Sequence, residues 1–282
     1  MRNAKLILLA LSLILLAMMV SCVDDSLEFN PKDNENVEAI TFADAYFEDI
    51  DDITNMAMMG IPDEDGGRFD NLDDERVACA TVTRTGDRDG GTITINFGNG
   101  CTDGRGVTRK GQMTITYEGR RFLPGSSVVT SFQDYFVNNF KIEGVRTLSN
   151  ISESTFAAPK FSITIQNGKV TWPDGSFITR EVNHTREWVR GANPQSDEMR
   201  ISGTASGTNK DQRSYTVEIK EVLIFKRSCA SQGIFIPVQG KKELLVDSRQ
   251  IDIDYGDGTC DRLVSITVNG VTRTITIRPI GQ

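Results

Sequence analysis

Beyond residue 76, apolar and polar residues alternate with a period of two. Thr92-Ile93-Thr94-Ile95-Asn96-Phe97, Met113-Thr114-Ile115-Thr116-Tyr117 and Phe161-Ser162-Ile163-Thr164-Ile165 set large apolar side chains against threonine and serine. Val264-Ser265-Ile266-Thr267-Val268 and Thr274-Ile275-Thr276-Ile277 repeat the scheme. Successive side chains of a strand point to opposite faces, so each segment buries one face and wets the other. Asn269-Gly270 separates two such runs by two residues, the strongest short hairpin signal. Asn167-Gly168, Pro173-Asp174-Gly175 and Asn138-Asn139 mark further expected reversals. The pattern predicts an all-β body over residues 76–282. It should be a mainly antiparallel meander of a dozen or more strands, forming a curved sheet or a sandwich.

Upstream the period changes. Phe42, Tyr46, Ile50, Ile53, Ala57 and Met58 recur at helical spacing. Thr41 is placed to cap that helix with Asp44 at its third position, and Gly60 and Pro62 end it. One amphipathic helix of four to five turns is predicted, packing its apolar stripe on the body. An acidic Gly/Asp loop from Ile61 to Glu75 completes a segment spanning residues 39–75.

A third pattern opens the chain: an apolar run from Leu6 to Val20, broken only by Ser12, preceded by Arg2 and Lys5 and ending in Met19-Val20-Ser21-Cys22. The run is shorter than the roughly 20 residues a membrane-spanning helix needs. A charged start, a short apolar stretch and a small residue before cysteine describe the signal peptide of a bacterial lipoprotein over residues 1–21. Cys22 then becomes the first mature residue, acylated on its sulfur and amine with palmitate-type chains. Two or more chains hold a protein stably in a bilayer, since each buried methylene contributes about 0.8 kcal/mol. Val23-Asp24-Asp25-Ser26 resembles the acidic signal that sends lipoproteins to the outer face of the outer membrane. Residues 22–38 are expected to be a disordered acidic tether.

Charge changes the picture in one respect. Residues 23–75 carry 18 acidic side chains and two basic ones, whereas residues 76–282 carry 21 acidic and 27 basic. The acidic stretch is expected to act as a soluble spacer that repels an anionic surface. The mildly basic body lacks the basic clusters with stacking aromatics of a nucleic-acid binder.

Cys79, Cys101, Cys229 and Cys260 remain after Cys22. An even count in an exported chain predicts two disulfides, with three possible connectivities. A repeat favours local pairing. Ile95-Asn96-Phe97-Gly98-Asn99-Gly100-Cys101 is echoed by Ile253-Asp254-Tyr255-Gly256-Asp257-Gly258-Thr259-Cys260, each with another cysteine upstream. Two similar hairpin units, near residues 79–118 and 229–278, are therefore expected to close as Cys79–Cys101 and Cys229–Cys260.

Candidate chemistry is sparse. Arg180, Val182, His184, Arg186, Trp188 and Arg190 share one strand face by period two. Such a face could hold an anionic sugar or lipid headgroup through charged hydrogen bonds and stacking. Asp252, Asp254, Asp257 and Asp261 are weak calcium candidates: glycine and aspartate stand in the wrong order for an EF-hand loop, which favours a turn-forming role. Asp87 and Asp89 in Thr85–Gly91 fit a hairpin loop. His184 is the sole histidine, and nucleophile elbow, HExxH, phosphate-loop and dinucleotide motifs are missing. Neither a cofactor nor a catalytic residue is expected.

The runs Ile95–Cys101, Arg109-Lys110-Gly111 with Tyr117, Val170-Thr171-Trp172-Pro173-Asp174-Gly175, Lys226-Arg227-Ser228-Cys229 and Asp254–Asp261 resemble a group of uncharacterised Bacteroidota outer-membrane lipoproteins. The resemblance covers roughly residues 76–278. It implies a compartment and a β fold, with no catalytic residues. Together these features predict a non-enzymatic, lipid-anchored protein of the outer membrane, facing the exterior, with a binding, scaffolding or structural role. Its partners would be the bilayer and a glycan, a lipid or an envelope protein. The alternatives are a lipid or glycan carrier using a curved sheet as its cradle, and a carboxylate-dependent hydrolase.

Overall fold

The computed structural model describes residues 29–59, 74–120, 122–154 and 158–279. The expected signal peptide, Cys22, the first part of the tether and most of the acidic loop lie outside these residues. A long helix, α1 (Pro31–Met59), precedes thirteen strands. These are β1 (Thr81–Asp87), β2 (Gly90–Thr102), β3 (Thr108–Glu118), β4 (Ser127–Val137), β5 (Phe140–Asn150), β6 (Lys160–Thr171) and β7 (Phe177–Val189). The order continues through β8 (Glu198–Thr208), β9 (Ser214–Lys226), β10 (Gln239–Val246), β11 (Arg249–Asp257), β12 (Leu263–Val268) and β13 (Val271–Thr276). A one-turn helix, α2 (Arg227–Ala230), lies between β9 and β10.

Every strand pairs antiparallel with its sequence neighbour, so spatial order equals chain order in one continuous sheet. The expected meander is formed, as a curved sheet and not a sandwich. The sheet is not closed: β1 and β13 are not neighbours. Alternation builds the core as predicted. Ile93, Ile95 and Phe97 of β2, Met113, Ile115 and Tyr117 of β3, and Val264, Ile266 and Val268 of β12 are buried. Asn269 and Gly270 both adopt positive φ, as a two-residue hairpin turn requires.

Asn167-Gly168 is a correction. The pair lies inside β6, where the register with β7 slips between Ile165 and Gly168. Asn167 has φ 53°, and a Cβ on the facing Gly144 would come within 2.8 Å of the Gly168 Cα. The two residues make a bulge that bends the sheet instead of reversing the chain.

The helix departs furthest from expectation. It begins ten residues before Thr41, at Pro31, and takes in Pro31–Glu38 of the segment assigned to the tether. Asn30 caps it: its side chain accepts from Lys32 N at 2.9 Å, while its own N–H donates to Asp33 Oδ2 at 2.8 Å. Pro31 sits first, where a missing N–H costs nothing. Thr41 lies mid-helix, buried, sharing a hydrogen bond with the Tyr255 hydroxyl. The helix is also buried on nearly all sides, not along one stripe; Val37, Ile40, Phe42, Ala43, Tyr46, Phe47, Ile50 and Ile53 are all in the core. The sheet curls round it, so Arg84 of β1, Thr130 of β4, Phe140 of β5 and Tyr255 of β11 all reach it.

The disulfides are Cys79–Cys101 and Cys229–Cys260. They close equivalent units at the two ends of the strand order. In each, the aromatic residue is buried (Phe97, Tyr255), and the next glycine takes positive φ while donating to the side chain two residues before it (Asn96, Asp254).

Candidate functional site

The face carrying Arg180, His184, Arg186 and Trp188 points inward, onto α1. Its arginines meet the helix carboxylates: Arg180 pairs with Asp44, and Arg186 pairs with Glu48 and Asp51. Neighbouring strands continue the scheme. Lys242 Nζ lies 2.6 Å from Asp44, Arg146 is 2.8 Å from Asp51, and Arg109 is 2.9 Å from Asp49. Arg249 clamps Asp33 at the helix start. The anion this face was expected to take from outside is supplied by the chain's own helix. Glu181 on the opposite face accepts from Asn167 N. Arg190 lies beyond the strand, its guanidinium 5.7 Å from the Trp188 ring and 5.9 Å from Phe122.

These pairs sit where charge is costly. Burial alone would raise the Asp44 and Asp49 carboxyls, but the cations beside them outweigh it and hold both below the usual range. Glu48 goes the other way: burial and the nearby Asp51 outweigh Arg186, and its pKa is raised. His184 is pushed down to about 3, first by burial; Asp44 opposes this, while Arg180, Lys242 and Arg186 add to it.

A pH dependence follows. Unfolded, His184 gains a proton below its ordinary value near 6.5; folded, it stays neutral down to about 3. The unfolded state therefore binds more protons in that window, and stability falls as pH falls through it. His184, the only histidine, should by itself withdraw about 2 kcal/mol of unfolding free energy between pH 7.5 and 5. Glu48 works in the opposite sense. Denaturant titrations of wild type and His184→Asn test this: parallel slopes across that interval would exclude the assignment.

A crevice opens beside this buried layer, between the second half of α1, the ends of β7–β9 and the β9–β10 connection. Its inner chamber, of about 70 Å³, is walled by Met56, Trp188, Met199, Phe225, Ala230, Ile234 and Phe235, with Glu48, Asp51, Asp52, Asn55, Arg186, Lys226 and Arg227 as its polar lining. An outer chamber of about 240 Å³ shares Asp52, Met56, Arg227, Ala230 and Phe235, and adds Asp74, Glu75, Arg76, Arg105, Gln195 and Ser231. Trp188 is held by its Nε1–H, which donates to Asp197 Oδ2 at 2.9 Å. Asp197 also accepts from Gly191 N and, through its carbonyl, from Arg227 N, tying the β7–β8 loop to the start of α2. Arg105 bridges Glu75 and the Ser231 carbonyl, so the β2–β3 turn abuts the β9–β10 connection.

Carboxylates do converge here, but each is engaged. Glu48 and Asp51 share Arg186; Asp52 and Asp74 lie on Arg76, which also reaches Asp49; Glu75 lies on Arg105. Of the predicted residues, Arg186 and Trp188 line the crevice, while Arg180, His184 and Arg190 do not. Met56, Phe225, Arg227 and Phe235 escaped sequence reasoning. They lie on separate elements, and the basic run Lys226-Arg227 before Cys229 was their only signal. Asp252, Asp254 and Asp257 are spent locally. Asp252 accepts from Gln250, Asp254 from Gly256 N, and Asp257 from Thr259. Among the described residues no group of three metal-ligating side chains assembles. Comparisons with protein-family models, with curated proteins and with solved structures find no match to this chain.

Proposed function

We propose that this chain is a non-catalytic binding protein of the bacterial envelope, anchored through acylated Cys22 in the outer membrane and facing the exterior. The observation that carries the binding role is the crevice itself. It combines apolar walls with a few convergent polar groups, the usual make-up of a small-molecule site. Asp51, Asp52, Asp74 and Glu75 are held by arginines, and Glu48, though its pKa is raised, is also engaged by Arg186. That favours binding over hydrolysis. The carrier alternative loses its cradle, because α1 fills the concave face of the sheet. Anchoring rests on Arg2, Lys5, the apolar run and Cys22, together with the acidic residues that follow. Among the described residues no helix is long and apolar enough to cross a membrane.

The anchoring is tested by metabolic labelling with palmitate in a bacterial host that exports the chain. Wild type should incorporate label and sediment with membranes, and Cys22→Ser should do neither. Equal labelling of both would reject it. Exposure is tested separately by protease shaving of intact cells, where digestion only after lysis would place the body inside.

A further inference from the structure

We infer that the crevice takes a small carboxylate with a short apolar body, its carboxylate on Arg227 and its alkyl part against Trp188, Phe225 and Phe235. The inference rests on the binding role proposed above and names the ligand class for it. It starts from a count of charges. Every acidic side chain lining the two chambers has a basic partner, as described. Among the basic ones, Arg186, Arg76 and Arg105 are paired with acids, and Lys226 donates to the Gly258 carbonyl at 2.6 Å. Arg227 alone, among the described residues, lines both chambers with a guanidinium that meets no carboxylate or carbonyl. A guanidinium beside apolar walls recruits a planar anion that accepts two parallel hydrogen bonds, which a carboxylate does.

Size sets the rest. A dry cavity of about 150 Å³ holds a benzene ring, so an inner chamber of about 70 Å³ suits a short alkyl chain. The two chambers together only reach the lower end of the size range of small-molecule pockets, about 300 Å³. Met56, Trp188, Met199, Phe225, Ile234 and Phe235 make the inner wall mainly apolar, and its carboxylates are already engaged by arginines, which favours an alkyl body over a hydroxyl-rich one.

The test uses the full chain in phosphatidylcholine vesicles, carrying Trp172→Phe so that Trp188 is the remaining tryptophan. Pentanoate, 1-pentanol and glucuronate are titrated while Trp188 fluorescence is followed. Pentanoate should give a saturable change with a Kd on the order of 1 mM, 1-pentanol should bind at least about tenfold more weakly, and glucuronate should give no change. Arg227→Gln should weaken pentanoate at least about tenfold without lowering the melting temperature, because its side chain makes no ion pair or hydrogen bond among the described residues. Equal binding of 1-pentanol, an unchanged Arg227→Gln titration, binding of glucuronate without pentanoate, or no fluorescence change at all would each overturn the inference. Palmitate labelling and shaving are independent of this readout, so the ligand class and the anchored state fail separately.

Discussion

Asp51→Ala should destabilise the protein by about 3–5 kcal/mol, enough to threaten folding in a chain of ordinary stability. Asp51 is 2% exposed and stands between Arg146 and Arg186, themselves 3% and 4% exposed. Removing it leaves two buried guanidiniums, one of them keeping only Glu48, whose pKa is already raised. The cost is dominated by the stranded cations, not by a lost attraction. Asp51→Leu combined with Arg146→Met removes both members of one pair while Arg186 keeps Glu48. Replacing a buried pair by apolar groups is often neutral, so the double variant should recover Arg146's share of the loss, while Arg186 still lacks Asp51. Urea titrations of the three chains decide it. If Asp51→Ala falls within 1 kcal/mol of wild type, the helix is not locked by these pairs.

Removal of the Cys229–Cys260 bond is the second large effect. The cysteines are 31 residues apart, and opening such a loop costs on the order of 3 kcal/mol in the chain-entropy picture. For a domain of this size, Cys229→Ala with Cys260→Ala should lower the melting temperature by about 6–12 °C. The bond also pins α2, whose Arg227 and Ala230 line the crevice. The same double variant should therefore lose pentanoate binding at temperatures where it is still folded. The Cys79–Cys101 pair, 22 residues apart, should cost a similar amount of stability. A melting temperature unmoved by the first double variant would mean that the β9–β10 connection is held by its hydrogen bonds alone.

Much of the β body was legible because period-two alternation is a local property. Ile93, Ile95 and Ile115 needed no knowledge of their partners to be placed inside. The disulfide pairing was legible for a related reason, since the two hairpin units repeat the same aromatic-Gly turn. Asn167-Gly168 misled because positive φ serves a turn and a bulge equally, and only the strand register separates them. The start of α1 was missed because Thr41-x-x-Asp44 offered a second capping pattern inside a segment that Asn30-Pro31 had already started.

The charge asymmetry was visible in the sequence and misread. Eight acidic residues against one basic within Pro31–Met59 looked like part of a solvated spacer. In the fold, most of them meet arginines and lysines that strand alternation turns inward. The basic surplus of the body and the acidic surplus of the helix are two halves of one buried layer.

By itself, the sequence determined the antiparallel meander and the local disulfides, because each depends on neighbours a few residues apart. Tertiary structure decided that α1 fills the sheet, that Arg180 and Arg186 answer Asp44 and Asp51, and that Trp188, Phe225, Phe235 and Arg227 share a crevice. Those contacts join residues distant along the chain, and the curvature of thirteen strands about one helix is what brings them within reach.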